Sequence, residues 1–210
     1  MSGSTAVRHL RAHDARRVRW HNGLGWTRQI HAEQVTGDDA WSWRLSIADI
    51  DRAAEFSRFD GVERELMLLS GDGLVLQFGD GQVTALQPPH ARLRFDGARG
   101  LSGEPAGAGV SALNLMWRPL HVAASTWHRP LVGTMVVFVD PGDCWVVHVL
   151  AGHVRLADID APPAERGDTL LLRAEDGRRR QVLDGGGELL LARLARSGQR
   201  SPSEALPAAP

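Results

Sequence analysis

Short apolar runs, most of them alternating with polar residues, dominate this chain and predict β-strands. The stretch 41–50 alternates clearly: odd positions 41–47 are Trp, Trp, Leu and Ile, whereas even positions 42–48 are Ser, Arg, Ser and Ala. Such alternation places the apolar side chains on one face of a strand. Asp-Gly turns between neighbouring runs favour hairpins. Further runs of strand length cover residues 62–69, 74–78, 91–95, 133–139, 145–150, 154–159, 169–173 and 188–194.

Helical signals are scarce. Residues 53–58 are the best candidate for a helix, and they are long enough for a single turn. Residues 188–194 are rich in Leu, Ala, Glu and Arg, which are good helix formers. Because this run follows three glycines in a chain of predicted strands, we interpret it as a strand.

A layout of strand, turn, strand, proline-containing loop and strand occurs twice, in residues 66–95 and 145–172. Its repetition predicts an all-β fold of two antiparallel β-barrels or jelly rolls packed together. The Gly167-Asp168 pair before a run of leucines is typical of cupin-type barrels. We predict a flexible N-terminus over residues 1–13, a first half over 14–118, a second half over 119–196 and a disordered tail over 197–210.

Composition excludes several classes of function. The 210 residues include 24 Lys+Arg and 25 Asp+Glu, so the net charge of −1 favours neither nucleic acid nor an anionic membrane as partner. All basic residues are Arg, which excludes Schiff-base and P-loop lysine chemistry. A single cysteine, Cys144, excludes an internal disulfide. No apolar run approaches about 20 residues, and residues 1–20 are polar, so we expect a soluble, cytoplasmic protein.

Metal and nucleophile motifs are weak. A cupin metal site needs a His-x-His pair, and none of the nine histidines forms one. His148 and His153 are five residues apart, which places them on opposite faces of a continuous strand, although a turn at Gly152 could bring them together. No Gly-x-Ser-x-Gly elbow occurs, and Cys144 lacks the context of a catalytic thiol. We therefore predict no metal, no other cofactor and no catalytic residue.

Two arginines stand at positions that alternation turns towards the interior. Arg64 shares a strand face with Val62, Leu66 and Leu68. An unpaired buried charge is costly, so Arg64 has either a buried carboxylate partner or an anionic ligand. Arg44 lies on a face between two serines, which is either a solvated outer face or a pocket wall.

Four ordered segments of the chain resemble the signatures of the HutD/Ves family. Residues 20–30, WHNGLGWTRQI, are similar to its Trp-x-Asn-Gly-Gly-Gly-x-Thr signature, and residues 43–48, WRLSIA, to its Trp-Arg-Ile-Ser-x-Ala strand. Residues 56–64, FSRFDGVER, resemble its Phe-Ser-x-Phe-Pro-Gly-x-x-Arg segment, and residues 113–116, LNLM, its Asp-x-Asn-x-Met segment. The layout of the second half extends the resemblance to about residue 195.

The resemblance implies a bicupin fold without a metal centre and a binding or regulatory role. Some relatives are tied to histidine utilisation and are proposed to bind an intermediate such as formylglutamate, and others are linked to stress responses. For this chain it implies a small anionic metabolite as partner and a set of pocket residues. Each of these could instead have only a structural role. The ligand-binding candidates are Trp20, Asn22, Thr27, Arg44, Ser46, Arg64, Asn114 and Met116.

The chain departs from these signatures at a few positions. Leu24 replaces the middle glycine, Asp60 stands where proline is usual, Ala112 where aspartate is usual, and Gln29 replaces an acid. The loss of a carboxylate at position 112 removes a group that could orient an arginine.

Three functions are compatible with these residues. The leading hypothesis is a metal-free bicupin that binds a small carboxylate as a sensor or regulator. The alternative is a metal-free cupin enzyme, an isomerase or hydrolase, acting on a small carboxylated substrate. The third is an interaction module that uses its barrel faces to form a homodimer.

Overall fold

The computed structural model describes residues 5–20, 25–35 and 40–198, and these residues form sixteen β-strands in three sheets. The helical content of this part of the chain is one 3-10 turn at Ala12–Asp14. The predicted all-β class is therefore confirmed.

The first half of the molecule consists of two facing sheets. One has the strand order β2-β3-β4-β11-β6-β9 and the other the order β5-β10-β7-β8. Their strands are β2 (Arg16–Arg19), β3 (Gly25–Gln34), β4 (Trp41–Ile50), β5 (Ala54–Phe56), β6 (Glu63–Ser70), β7 (Leu74–Phe78), β8 (Val83–Leu86), β9 (Arg92–Asp96), β10 (Leu101–Pro105) and β11 (Val110–Trp117).

The second half is built from one sheet with the order β1-β15-β13-β16-β12, in which β14 also pairs with β13. Two of its strands, β12 and β16, are 18 residues long and pair with each other over their full length. Its strands are β1 (Thr5–Leu10), β12 (Val122–Val139), β13 (Cys144–Leu156), β14 (Ala164–Glu165), β15 (Thr169–Ala174) and β16 (Arg179–Arg196).

Three apolar clusters form the core. One fills the first half, where Leu66 of β6 packs with Leu76 of β7 and Leu101 of β10. A second fills the other half around Val147 and Leu183. The third lies between the halves, and its first-half members are Trp43, Leu45, Met67, Leu113, Leu115 and Trp117. Strands β4 and β11 are thus buried on both faces, as an inner strand of a sheet with two covered faces must be.

Several predictions are corrected by strand pairing. Residues 53–58 were expected to be helical, but Ala54–Phe56 form β5 against β10 because Leu101 and Phe56 pair across the ladder. The N-terminal segment 1–13 was expected to be flexible, but Thr5–Leu10 form β1 and pair with β15. The runs 145–150 and 154–159 were expected to be separate, but all of the first and half of the second belong to β13. Positions 199–210 of the predicted tail lie outside the described residues.

Across the part of the chain that the structure covers, no helix is both long and apolar enough to cross a membrane.

Gly152 lies at a close approach of β13 and β16 and provides a test of the fold. Gly152 has φ +75° and pairs with Gly187, and a Cβ there would overlap the carbonyl oxygen of Gly186. We expect Gly152→Ala to lower the free energy of unfolding by about 2 kcal/mol or more relative to the matched Gly177→Ala. Gly177 has φ +64° with open space around its Cβ position, so it shares the backbone penalty without the overlap. Equal urea midpoints for the two variants would contradict the close approach.

Candidate functional site

The candidate site lies on the inner face of the first half, where β4, β11 and β6 are consecutive strands of one sheet. Met116 of β11 pairs with Arg44 of β4 on one side and with Arg64 of β6 on the other. Directly paired residues point to the same face, so the two arginines flank Met116 in one cross-strand row. The Cα atoms of the arginines are two strand spacings apart, which is about 10 Å.

Arg64 is the buried cation of this row. It is 2% exposed, and its Nη1 donates a hydrogen bond to the carbonyl oxygen of Ser57 at 3.1 Å. Within the described residues its Nε has no hydrogen-bond partner and no carboxylate forms an ion pair with it. Burial, together with the charge of Arg44, lowers the pKa of Arg64 to about 10. Of the two alternatives that the sequence left open, the internal ion pair is therefore absent from this part of the chain.

Arg44 lies beside Arg64 and, among the described residues, likewise makes few polar contacts. Its Nη2 is 3.8 Å from Sδ of Met116, a distance that makes only a weak contact. Its buried Nε has no partner in residues 5–20, 25–35 and 40–198. Burial lowers the pKa of Arg44. Of its two sequence interpretations, a solvated outer face and a pocket wall, the structure supports the second, because Arg44 lines a cavity.

Aromatic rings hold both guanidinium groups. The Cζ atoms of Arg44 and Arg64 lie 5.5 Å and 5.6 Å from the centroid of Phe59. Arg64 also lies 5.2 Å from the ring of Phe95 and 5.6 Å from the ring of Phe56. Cation–π contacts of this kind are each worth about 0.5–2 kcal/mol and offset part of the desolvation cost. They leave the N–H donors available to a ligand.

The arginines line a cavity of about 430 Å³. This volume falls in the range of small-molecule sites, which is about 300–1,000 Å³. Glu55 is its one carboxylate within the described residues, and Glu55 is exposed. The lining residues are Val18, Arg19, Trp20, Thr27, Arg44, Ala48, Glu55, Phe56, Ser57, Phe59, Arg64 and Asn114.

Asn114 supplies an amide to the same cavity. It is 7% exposed, and its Nδ2 lies 3.3 Å from Sδ of Met116. Its Oδ1 is buried without a hydrogen-bond partner among the residues described. Among the described residues, the amide oxygen of Asn114 and the Nε atoms of the two arginines are thus buried polar atoms without partners, on side chains that line one cavity.

The structure places the eight predicted ligand-binding residues as follows. Five of them line the cavity: Trp20, Thr27, Arg44, Arg64 and Asn114. Met116 lies beneath the cavity, between the arginines. Ser46 is buried and pairs with Asn114, but it does not line the cavity. Asn22 and the departure Leu24 lie outside the described residues.

Trp20 and Thr27 form one wall together. Nε1 of Trp20 donates to Oγ1 of Thr27 at 2.9 Å, and the indole packs edge-on against Phe56 with centroids 5.6 Å apart. Gly25 permits this arrangement, because a Cβ there would lie 3.1 Å from the indole and 2.7 Å from the carbonyl oxygen of Asp49. The glycine of the motif thus has a packing reason.

Sequence reasoning missed the segment from Glu55 to Phe59 as a wall of the cavity. The signal was present, since residues 56–59 begin one of the family-like segments. The departure Ala112 lies on the same face of β11 as Asn114, fully buried between Ala48 and Leu68. An alanine there leaves the interior without a carboxylate at that position.

The other reactive side chains of interest lie outside this cavity. Burial lowers the pKa of His148 to about 4, and its Nδ1 lies 2.9 Å from Oγ1 of Thr169. His153, which a turn at Gly152 could have brought beside His148, is exposed on β13. Burial raises the pKa of Cys144 to about 12, which makes it an unreactive thiol. Of the described residues, His90, His128 and Glu188 come close enough to share a metal ion.

Comparisons with known proteins agree on one family. The family model described as HutD matches residues 12–191. An uncharacterised 21.2 kDa protein in the hutC 3' region of Pseudomonas putida is 38% identical over 110 residues, which are 52% of this chain and 57% of that protein. The match therefore spans little more than half of the P. putida protein. Protein Ves of Citrobacter koseri is 34% identical over 140 residues, 66% of this chain and 70% of that protein.

Solved structures show the same likeness. HutD from Pseudomonas fluorescens SBW25 (formate condition) has a TM-score of 0.80 and 26% identity, covering 92% of this chain and all 100% of that one. Bacterial pirin YhhW from Escherichia coli in complex with nickel(II) has a TM-score of 0.65 at 9% identity, covering 91% of this chain and 99% of that one, a likeness of fold alone. The predicted bicupin fold is confirmed by these neighbours.

The unpaired charge of Arg64 predicts that removing it stabilises the empty protein. A pKa lowered from 12.5 to about 10 corresponds to about 3 kcal/mol against the charged form. The lost hydrogen bond to Ser57 costs about 1 kcal/mol. The lost cation–π contacts with Phe56, Phe59 and Phe95 are replaced in part by sulfur–aromatic contacts of the methionine. We expect Arg64→Met to raise the free energy of unfolding by about 1 kcal/mol in urea denaturation of protein that has been refolded to remove bound anions.

Arg52→Met is the matched control, because Arg52 is exposed and its replacement should change stability by less than about 0.5 kcal/mol. A loss of stability in Arg64→Met that exceeds the control would show that Arg64 is a structural residue.

Proposed function

The chain belongs to the HutD family, and we propose that it binds a small carboxylate metabolite between Arg44 and Arg64 in a role related to histidine utilisation. The observation that carries the proposal is the burial of Arg64 without a carboxylate partner in the described residues. An arginine fork binds a carboxylate through two parallel hydrogen bonds, which is the arrangement that such an unpaired side chain lacks.

The two inner cations of the cavity and one amide favour a ligand with more than one polar end, whereas the third arginine of the lining, Arg19, is exposed. Arg44 and Arg64 flank the cavity floor, and Asn114 adds an amide beside them. Formylglutamate carries two carboxylates and a formamide, so it offers an acceptor group to each arginine and a polar group to the side chain of Asn114. Trp20, Phe56 and Phe59 would cover its methylene groups. We therefore propose a formylglutamate-like dicarboxylate as the ligand class.

The regulatory part of the proposal rests on the family. The P. putida relative is described by its position in the hutC 3' region, and the P. fluorescens relative is named HutD. A protein that binds an intermediate of a pathway without consuming it reports the concentration of that intermediate. Binding without turnover is thus the behaviour that separates a sensor from the alternative, an isomerase or hydrolase.

Ligand binding is tested by thermal shift and calorimetry with formylglutamate, glutamate, urocanate and formate. We expect formylglutamate to give the largest stabilisation, since a ligand at 100 times its dissociation constant adds about 2.7 kcal/mol. In Arg64→Met the dissociation constant should rise at least about tenfold, because a hydrogen bond between charged groups is worth about 1.5–3 kcal/mol. Arg52→Met should bind as the wild type does.

Three results would count against the proposal. Absence of a shift with every carboxylate would remove the anion-binding function. Equal affinities of the wild type and Arg64→Met would place the ligand elsewhere. If chromatography shows that the wild type consumes formylglutamate, the enzyme hypothesis would be favoured.

A carboxylate built into the cavity should act as a competitor of the ligand. Asn114 and Arg44 contact the same Met116 sulfur, at 3.3 Å and 3.8 Å, so an aspartate at position 114 would face Arg44. We expect Asn114→Asp to bind formylglutamate at least about tenfold more weakly than Asn114→Leu, which loses the amide without adding a charge. Calorimetry of the two variants measures the difference. Tighter binding by Asn114→Asp would contradict the proposed orientation of the ligand.

A further inference from the structure

We propose a second site that holds a divalent transition metal of the Zn²⁺ type through His90, His128 and Glu188, outside the arginine cavity. The donor atoms of these three side chains all lie within 4.8 Å of one another. Nε2 of His128 lies 3.0 Å and Nε2 of His90 3.2 Å from the same carboxylate oxygen, Oε2 of Glu188. Metal bonds of about 2.0–2.1 Å place neighbouring tetrahedral donors about 3.3 Å apart. The three side chains therefore need little movement to enclose an ion.

The three donors come from both halves of the molecule. His90 lies in the loop between β8 and β9, His128 in β12 and Glu188 in β16. His128 pairs with Leu190, so Glu188 is its diagonal neighbour on the same face of the second sheet. Leu190 belongs to the cluster between the halves, and this face therefore points towards the first half. A metal at this site would connect the loop of one half to the sheet of the other.

Hydrogen bonding orients His90 as a metal ligand. Its Nδ1 lies 3.3 Å from the carbonyl oxygen of Leu68, which can only accept a hydrogen bond. A proton on Nδ1 satisfies that carbonyl and leaves the lone pair of Nε2 directed at Glu188. Two acceptors facing each other repel unless a metal cation or a second proton on the imidazole lies between them. This carbonyl–histidine pairing is the usual support of a metal-bound imidazole.

The backbone at His90 is also unusual. Its φ is +56°, the left-handed region that favours glycine, and among the described residues it is the only residue other than glycine with a positive φ. Non-glycine residues in this region are often found at functional sites, because the surroundings must hold them there. Here the conformation presents the imidazole to β12 and β16, where its ring lies 5.1 Å from that of His128.

The donor set selects the metal class. Two imidazoles and one carboxylate suit Zn²⁺ and related transition metals rather than Mg²⁺ or Ca²⁺, which prefer oxygen ligands. The side chains of His128 and Glu188 are 36% and 44% exposed, so a fourth position would be open to water. The site is independent of the arginine cavity, since none of its three residues lines that cavity.

Binding is tested with tag-free, metal-stripped protein titrated with Zn²⁺ in calorimetry, and with Co²⁺ followed by visible absorption. We expect one ion per chain and a tetrahedral Co²⁺ spectrum. His90→Ala, His128→Ala and Glu188→Gln should each weaken Zn²⁺ binding at least tenfold, whereas the exposed His153→Ala should bind as the wild type does. Zn²⁺ should also raise the melting temperature of the wild type and not that of the three variants.

Unfolding of the variants does not obscure the result, because their melting temperatures in EDTA are compared with that of the wild type in EDTA. Unchanged Zn²⁺ affinity in Glu188→Gln and His128→Ala, or an equal loss in His153→Ala, would overturn the site. So would a wild type that binds no Zn²⁺, which would leave the cluster as an ion pair of protonated histidines with Glu188. Formylglutamate binding is not expected to change in any of these variants.

Discussion

The packing of one half of the molecule against the other holds the two arginines inside the first half. Trp43, Leu45, Leu113, Leu115 and Trp117 all belong to the cluster between the halves. Because side chains alternate along a strand, burying these residues on the outer face of β4 and β11 directs Arg44, Asn114 and Met116 to the inner face. A slip of one residue would move the arginine into the apolar interface and a tryptophan into the cavity. The register of the site is thus determined by the interface behind it.

This constraint explains how the fold tolerates Arg64. Moving a guanidinium into an interior without a counter-charge is unfavourable, and a second cation in the same cavity adds repulsion. The rings of Phe56, Phe59 and Phe95 compensate only partly. The remainder is supplied by the clusters on either side of the sheet, which are fully apolar. Holding two cations in place therefore lowers the free energy of unfolding of the empty protein. Such a preorganised pair is expected where an anion is to be bound, because the anion stabilises the folded state.

The sequence predicted the strands that show their own alternation or run of apolar residues. The strand at residues 41–50 was predicted from its alternation with the bounds that β4 has, and the run at 74–78 matches β7. Features that depend on distant pairing were not predictable in this way. Residues 54–56 have the composition of a helical turn, yet they pair with β10, which lies more than forty residues later. Similarly, residues 5–10 show no clear alternation of apolar and polar residues, and β1 forms by pairing with β15.

The arginine cavity and the metal cluster also differ in whether a local sequence pattern predicts them. Five of the eight residues named from the family-like segments line the arginine cavity, because those segments lie on or next to β3, β4, β6 and β11, which the sheet brings close together. The metal cluster has no such signature, since His90, His128 and Glu188 are 38 and 60 residues apart. A search for His-x-His spacing inside a barrel finds ligands on one strand and misses ligands that meet only when two halves dock. In a two-barrel protein the interface between the halves can thus hold a second binding site. The loop that carries His90 contacts β6, the strand of Arg64, through the carbonyl of Leu68. Strand β6 therefore contributes to both sites, through the side chain of Arg64 in one and through the carbonyl of Leu68 in the other.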